Sequence, residues 1–171
     1  MALGSRIVAA ALGLGLALTA GIPTASAGTF HPDPFPGVVS LGTPAAHCLE
    51  IALGNHDNGA TAQQWDCWGG ANQRWSLTAG PAGSLVNLDS GKCLETPLGN
   101  HDNGAPVRQW DCWGGPNQQW YWTRIKGSGY TLRNADSGKC LEIALGDYSN
   151  GATARQWDCW NGDNQDWFPL G

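Results

Sequence analysis

The sequence has no run of lysine or arginine anywhere in its 171 residues. Nucleic-acid binding relies on clustered cations that displace counterions from phosphates, so that class of partner is excluded. Anionic membrane surfaces are disfavoured for the same reason. Only one long apolar run exists, over residues 7–20, so nothing later in the chain is expected to insert into a membrane. The six cysteines never stand two to four apart, which removes the usual zinc spacing, and no metal is expected. Gly-x-Ser-x-Gly is missing, and no unrepeated Ser, His and Asp set stands out. A true active site is usually unique, whereas each notable acid here recurs by repetition. The reading is therefore no enzyme and no cofactor. Helical periodicity is weak throughout, which argues against an α-helical fold.

What is present is one unit written three times. Cys48-Leu49-Glu50-Ile51 returns as Cys93-Leu94-Glu95-Thr96 and as Cys140-Leu141-Glu142-Ile143. Nineteen positions after each of these cysteines comes another, within Gln-Trp-Asp-Cys-Trp: Cys67, Cys112 and Cys159. Each copy closes on Asn-Gln-x-Trp, ending at Trp75, Trp120 and Trp167. A period of this size in three copies means a supersecondary unit that buries its apolar face against its neighbours. Short apolar or alternating runs bounded by Gly, Asn and Asp, such as Ser84-Leu85-Val86-Asn87-Leu88, indicate an all-β protein. Asn58-Gly59, Asn103-Gly104 and Asn150-Gly151 mark tight turns. Four strands per copy fit the spacing, with copies over about 38–79, 83–125 and 129–171. The first copy approaches its cysteine through Thr43-Pro44-Ala45-Ala46-His47, where the others have Asp-Ser-Gly-Lys, so its path there must differ.

Residues 1–27 carry one charge, Arg6, and an apolar core, and end on Ala25-Ser26-Ala27, the pattern of a cleaved secretory signal peptide. The product is expected to be exported and extracellular. Losing Arg6 takes the formal net charge from -5 to -6. Six cysteines in an exported chain read as a disulfide framework, with fifteen pairings in principle. The simplest scheme pairs within each copy: Cys48–Cys67, Cys93–Cys112 and Cys140–Cys159. Residues 28–37 hold three prolines and two phenylalanines, an N-terminal arm that is either a loose tail or an extended segment docking on a protein partner.

The thrice-repeated Gln-x-Trp (Gln73-Arg74-Trp75, Gln118-Gln119-Trp120, Gln165-Asp166-Trp167), the in-phase cysteine pairs and the Asn-Gly turns resemble the ricin-type β-trefoil lectins. That family includes carbohydrate-binding modules of actinobacterial polysaccharidases, and the resemblance covers residues 38–171. It implies a six-stranded barrel capped by three hairpins, and glycan or polysaccharide binding, of galactose or xylose type, in up to three shallow pockets. Carried onto this chain, the pocket residues are Glu50, Gln63, Trp65, Asn72 and Gln73 in the first repeat. The second offers Glu95, Arg108, Trp110, Asn117 and Gln118, and the third Glu142, Arg155, Trp157, Asn164 and Gln165. The chemistry is apt, because a carboxylate accepts hydroxyl donors and amides both donate and accept. An indole face also matches the apolar face of a pyranose. The family's pocket acid is Asp, but here all three are Glu.

Arg108 and Arg155 stand where the first repeat keeps Gln63, and are expected to form bidentate salt bridges to Glu95 and Glu142. Glu50 is expected to remain free, which ranks the first pocket highest. The alternative for the three glutamates is that they anchor a strand to a loop. Trp75, Trp120 and Trp167 are expected in the core. Trp68, Trp113 and Trp160 either shield the disulfides or stand exposed as stacking platforms. Asn55-His56-Asp57-Asn58 and Asn100-His101-Asp102-Asn103 read as polar hairpin tips. The other functional reading is a pseudo-lectin, an adaptor or inhibitor subunit of a secreted, toxin-like complex.

Overall fold

The computed structural model describes residues 37–78, 82–125, 127 and 129–171. The expected leader, and the expected arm apart from Gly37, lie outside the described residues. The account below concerns the unit that comprises residues 32–171.

Among the described residues twelve strands follow in chain order, four to a repeat. The first repeat holds β1 (Val38–Gly42), β2 (His47–Ile51), β3 (Ala62–Asp66) and β4 (Arg74–Leu77). The second holds β5 (Leu85–Asn87), β6 (Cys93–Glu95), β7 (Arg108–Trp110) and β8 (Trp120–Arg124). The third holds β9 (Tyr130–Asn134), β10 (Cys140–Ile143), β11 (Ala154–Trp157) and β12 (Phe168–Leu170).

The outer strands of each repeat close a six-stranded ring. β1 pairs antiparallel with β4 and β12, β4 with β5, and β8 with β9. The bridges Gly83 to Trp120 and Tyr130 to Trp167 complete the circuit. The inner strands form three hairpins, β2–β3, β6–β7 and β10–β11. This is the all-β trefoil that the resemblance implies, and closure removes free strand edges.

The repeat builds the core by placing the same residue types at the same depth. Trp75, Trp120 and Trp167 are fully buried, with Leu49, Leu94 and Leu141 beside them in one cluster. Each indole N–H donates to the carbonyl of the leucine in its own repeat, at 3.0–3.1 Å. The ring thus brings a large apolar surface inside without stranding its one polar atom. The disulfides join Cys48 to Cys67, Cys93 to Cys112 and Cys140 to Cys159, so the in-repeat pairing holds. Each closes a loop of about 20 residues, worth about 3 kcal/mol in the chain-entropy account.

Neighbouring repeats are held by a clasp that recurs around the ring. Asn58 donates its amide to Asp111 at 2.7 Å and accepts from the Asp111 backbone N–H at 2.9 Å. Asn103 holds Asp158 in the same way, and Asn150 holds Asp66. Beneath each clasp lies a fully buried glutamine. Gln109 donates to the Asn55 and Asp57 carbonyls, Gln156 to those of Asn100 and Asp102, and Gln64 to those of Asp147 and Ser149. The Asn-Gly turns take the expected left-handed conformation, with φ of 87–89° at Gly59, Gly104 and Gly151. A side chain there would meet the indole of the next repeat: Trp110, Trp157 and Trp65 respectively.

The approach to the first cysteine does differ between repeats. In the second and third, Asn87 N–H donates to the Lys92 carbonyl and Asn134 N–H to that of Lys139. In the first, Thr43 N–H donates to the His47 carbonyl, a turn one residue shorter. All three turns nonetheless place a left-handed residue two before the cysteine. Gly91 and Gly138 supply it twice at φ 69°, but in the first repeat it is Ala46, at φ 63°.

Two outcomes follow from these turns. Ala46 is an exposed L-residue in a conformation that costs an L-residue roughly 1–2 kcal/mol, part of which glycine's unfolded-state entropy returns. Ala46→Gly is expected to stabilise the protein by about 0.5–1 kcal/mol, read as a raised denaturation midpoint. The second concerns acid. Hydrogen bonds from Lys92 and then Asn58 hold the Asp111 carboxyl below the ordinary aspartate range, and Lys139 and Asn103 do the same for Asp158. A depressed folded-state pKa contributes stability above the unfolded-state value, and this is lost as pH falls through the folded-state value. Asp111→Asn is expected to flatten the fall in melting temperature between about pH 5 and about pH 2.

Candidate glycan-binding site

The candidate side chains sit where each inner hairpin meets the short 3₁₀ turn before the core tryptophan. Cross-strand register in β2–β3 puts Glu50 opposite Gln63, and β6–β7 and β10–β11 put Glu95 opposite Arg108 and Glu142 opposite Arg155. The 3₁₀ turns Ala71–Gln73, Pro116–Gln118 and Asp163–Gln165 then bring the Asn-Gln pair beneath the carboxylate.

All three glutamates are buried, at 4%, 2% and 1% exposure for Glu50, Glu95 and Glu142. The Gln73 amide donates to Glu50 Oε2 at 2.9 Å, and Gln118 and Gln165 donate to their glutamates at 3.0 Å. The same three amides also donate to the backbone carbonyls of Asp66, Asp111 and Asp158. Gln73, Gln118 and Gln165 are themselves fully buried and act as brackets from behind. Asn72, Asn117 and Asn164 donate to the carbonyls of Ile51, Thr96 and Ile143; Asn72 and Asn117 also donate to Oε2 at 3.4 and 3.2 Å, whereas at Glu142 Oε2 the further donor is the Trp160 indole N–H at 3.4 Å. The Oδ1 atoms of Asn72, Asn117 and Asn164 have no partner among the described residues.

The expectation that Glu50 stays free is corrected. Gln63 donates to Glu50 Oε1 at 2.9 Å, so the amide fills the place that arginine takes elsewhere. The expected arginine pairs form, with a different geometry. Arg155 brings Nε and Nη2 to Glu142 Oε1, at 2.9 and 2.8 Å, and Arg108 brings Nε to Glu95 Oε1 at 3.1 Å. Neither is a fork across both oxygens, because Oε2 is already held by the glutamine bracket. The glutamates therefore do anchor strand to turn, whatever else they do. The extra methylene of Glu over Asp is what lets one carboxylate reach both the facing strand and the turn below.

The repeats differ in how open their tryptophans are. Arg108 and Arg155 lie over the rings of Trp110 and Trp157, at 4.5 and 4.3 Å from the centroids. Gln63 brings no guanidinium to its tryptophan, and Trp65 is 38% exposed. A cavity of about 330 Å³ in the first repeat is lined by Glu50, Gln63, Trp65 and Asn72, with Leu53, Trp68 and Asp89 at its sides. A larger one of about 640 Å³ in the third repeat is lined by Glu142, Arg155, Trp157 and Asn164, with Leu145, Tyr148, Trp160 and Asp163.

Several lining residues escaped the sequence reading. Asp89 belongs to the second repeat but borders the first cavity, where its Oδ2 meets His56 Nε2 at 2.9 Å. His101 and Asp136 repeat this contact at 3.0 Å. The two identical segments read as polar hairpin tips, and nothing local pointed across to the next repeat. Leu53 and Leu145 were also passed over. They are 95% and 87% exposed at φ 57° and 58°, a conformation that sequence pattern assigns to glycine or asparagine. Trp68, Trp113 and Trp160 are resolved in favour of exposure, at 65%, 54% and 59%.

Removing an arginine tests the floor. Arg155→Ala leaves Glu142 buried with fewer donors, and is expected to cost about 2 kcal/mol of stability by chemical denaturation. Arg155→Gln, which copies the first repeat, is expected to restore most of it.

Comparison with known proteins agrees with this architecture. The profile of the ricin-type β-trefoil lectin domain matches residues 38–167. ThreeFoil, a designed three-fold symmetric protein, is 31% identical, with a TM-score of 0.76 over 79% of this chain and 99% of its own. An exo-β-1,3-galactanase from Clostridium thermocellum is 27% identical, with a TM-score of 0.75 over 80% of this chain but only 30% of its own. The Macrolepiota procera ricin B-like lectin, solved with lactose, shares the fold at 17% identity, with a TM-score of 0.68 over 79% of this chain and 95% of its own. With its barrel, three capping hairpins and repeated carboxylate floor, the chain belongs to the ricin-type β-trefoil lectin family, whose domain is a carbohydrate-binding and generally non-catalytic one.

Proposed function

We propose that the protein is a secreted lectin that binds glycans or polysaccharides of galactose or xylose type without cleaving them. Up to three shallow pockets take part, one to a repeat. The observation that carries this reading is the recurrence, in each repeat, of a buried carboxylate bearing amide donors beside a tryptophan at the surface. Sugars need both halves of such a site: polar atoms for hydroxyls and an apolar ring for the C–H face. Galactose-type ligands are favoured by the galactanase relative, of which this chain spans 30%.

The first pocket ranks highest, because no guanidinium covers Trp65 there. In it, Glu50 and Asn72 orient hydroxyls and Trp65 supplies the stacking face. In the second and third, Arg108 and Arg155 present their remaining N–H groups, and Trp110 and Trp157 are shared between arginine and ligand. A single shallow site of this kind binds at about millimolar strength, near -4 kcal/mol. Two or three sites on one polymer raise apparent affinity by about 10²-fold or more. Export is supported by three disulfides and by the leader pattern of residues 1–27.

A second reading is kept for one observation: Arg108 and Arg155 engage the carboxylates that hydroxyls would need. On that reading the trefoil is an adaptor or inhibitor subunit in a secreted complex, and residues 28–37 contact the partner.

The test is a glycan-array and insoluble-polysaccharide binding screen on the oxidised 28–171 chain. Saturable binding is expected, with Trp65→Ala weakening it about tenfold through loss of one site from a multivalent set. Unchanged affinity in that variant removes the first-pocket assignment. No binding to any glycan, with an intact fold, moves the choice to the adaptor, and deletion of residues 28–37 should then release a co-purifying partner.

A further inference from the structure

We infer that Trp68, Trp113 and Trp160 each form a second sugar-stacking subsite beside the carboxylate floor, so that each pocket takes at least two linked sugar units. This rests on the lectin reading above and gives its ligand a minimum length.

These three rings lie outside the core cluster, and of the three Trp160 also meets the floor, its indole N–H donating to Glu142 Oε2 at 3.4 Å. They stand 65%, 54% and 59% exposed, whereas the tryptophans that build the core are fully buried. Yet their placement is specified by a second residue. Each ring lies against the glycine two positions on: a Cβ at Gly70, Gly115 or Gly162 would come within 2.0 Å of the indole Cη2. Those glycines have φ of -64°, -67° and -83°, which any residue adopts. Backbone conformation therefore does not call for glycine there. The missing side chain seats the ring.

The seat is tied to the floor. Trp68 N–H donates to Gln73 Oε1 at 3.0 Å, Trp113 N–H to Gln118 at 2.9 Å and Trp160 N–H to Gln165 at 3.0 Å. These are the glutamines whose amides hold Glu50, Glu95 and Glu142. One buried side chain thus fixes the spacing between carboxylate and platform in every repeat. Trp68 lines the first cavity together with Trp65, and Trp160 lines the third together with Trp157. Leu53 and Leu145 extend the apolar edge of the same cavities, in a backbone conformation that costs a leucine roughly 1–2 kcal/mol. Two indoles in one cavity offer stacking faces to two pyranose rings.

The test compares chain lengths, using methyl β-galactoside against β-1,3-linked galactotetraose and xylose against xylotetraose, by titration calorimetry. The unaltered protein is expected to bind one tetrasaccharide about tenfold or more tighter than its monosaccharide. The triple variant Trp68→Ala/Trp113→Ala/Trp160→Ala is expected to bring the ratio of tetrasaccharide to monosaccharide affinity down to about one. Gly70→Ala/Gly115→Ala/Gly162→Ala, which unseats the rings without removing them, is expected to do the same. Melting curves of both variants are compared with the parent, so that lost binding is not confused with lost folding.

Monosaccharide binding with no chain-length advantage overturns the second subsite and leaves the lectin reading intact. An advantage that survives both variants also overturns it. Loss of monosaccharide binding in the variants marks a sandwich around one ring, and again overturns it. Binding of neither series, with no polysaccharide retained in the screen, overturns both readings.

Discussion

Each repeat depends on the one beside it. A four-strand unit of this size leaves its hairpin's inner face and its core tryptophan uncovered unless a neighbour closes over them, which is why the ring of six strands is the governing constraint. The buried glutamine of each Gln-Trp-Asp segment enforces closure by donating to two carbonyls of the preceding repeat's tip. An unmet carbonyl at that depth costs more than a made hydrogen bond contributes, so the turn and the strand must meet in one register. The pocket inherits its geometry from this fit, since the tryptophan that faces the cavity sits one residue beyond that glutamine.

The candidate pocket is built from groups that also hold the fold. Glu50, Glu95 and Glu142 are buried, yet each has donors on both oxygens, which is how a carboxylate is tolerated at such depth. The cost is that much of each carboxylate's acceptor capacity is already used by the protein. The first and third cavities share this arrangement and differ in their rims. Asp89 borders one, while Tyr148 and Asp163 border the other.

Much of the fold was legible because repetition exposes it. Residues that recur in phase, such as Trp75, Trp120 and Trp167 or the cysteine pairs, must serve one geometry three times, and burial and pairing followed from that. The Asn-Gly turns were legible from glycine chemistry alone. The candidate pocket residues do come together in space, but their bonding was not legible. Whether Glu50 is free depends on which donors come near it, and Gln63, Asn72 and Gln73 lie 13 to 23 residues away. The Asn–Asp clasps span 53 to 84 residues, beyond any local pattern. Leu53 and Leu145 escaped notice because their left-handed backbone contradicts their residue type, so propensity pointed away from them.

The clasps are alike in space but not along the chain. Asn58 reaches Asp111 over 53 residues and Asn103 reaches Asp158 over 55, while Asn150 must return to Asp66 over 84. The third contact closes the longest loop and so carries the largest entropic toll before any reward. A nascent chain can dock its first repeat on its second, but it keeps an open seam until the third arrives. Until β12 pairs with β1, that seam presents unpaired strand edges and uncovered apolar surface to any neighbour. The threefold symmetry of the finished molecule therefore conceals an ordered assembly, in which the last repeat acts as the latch.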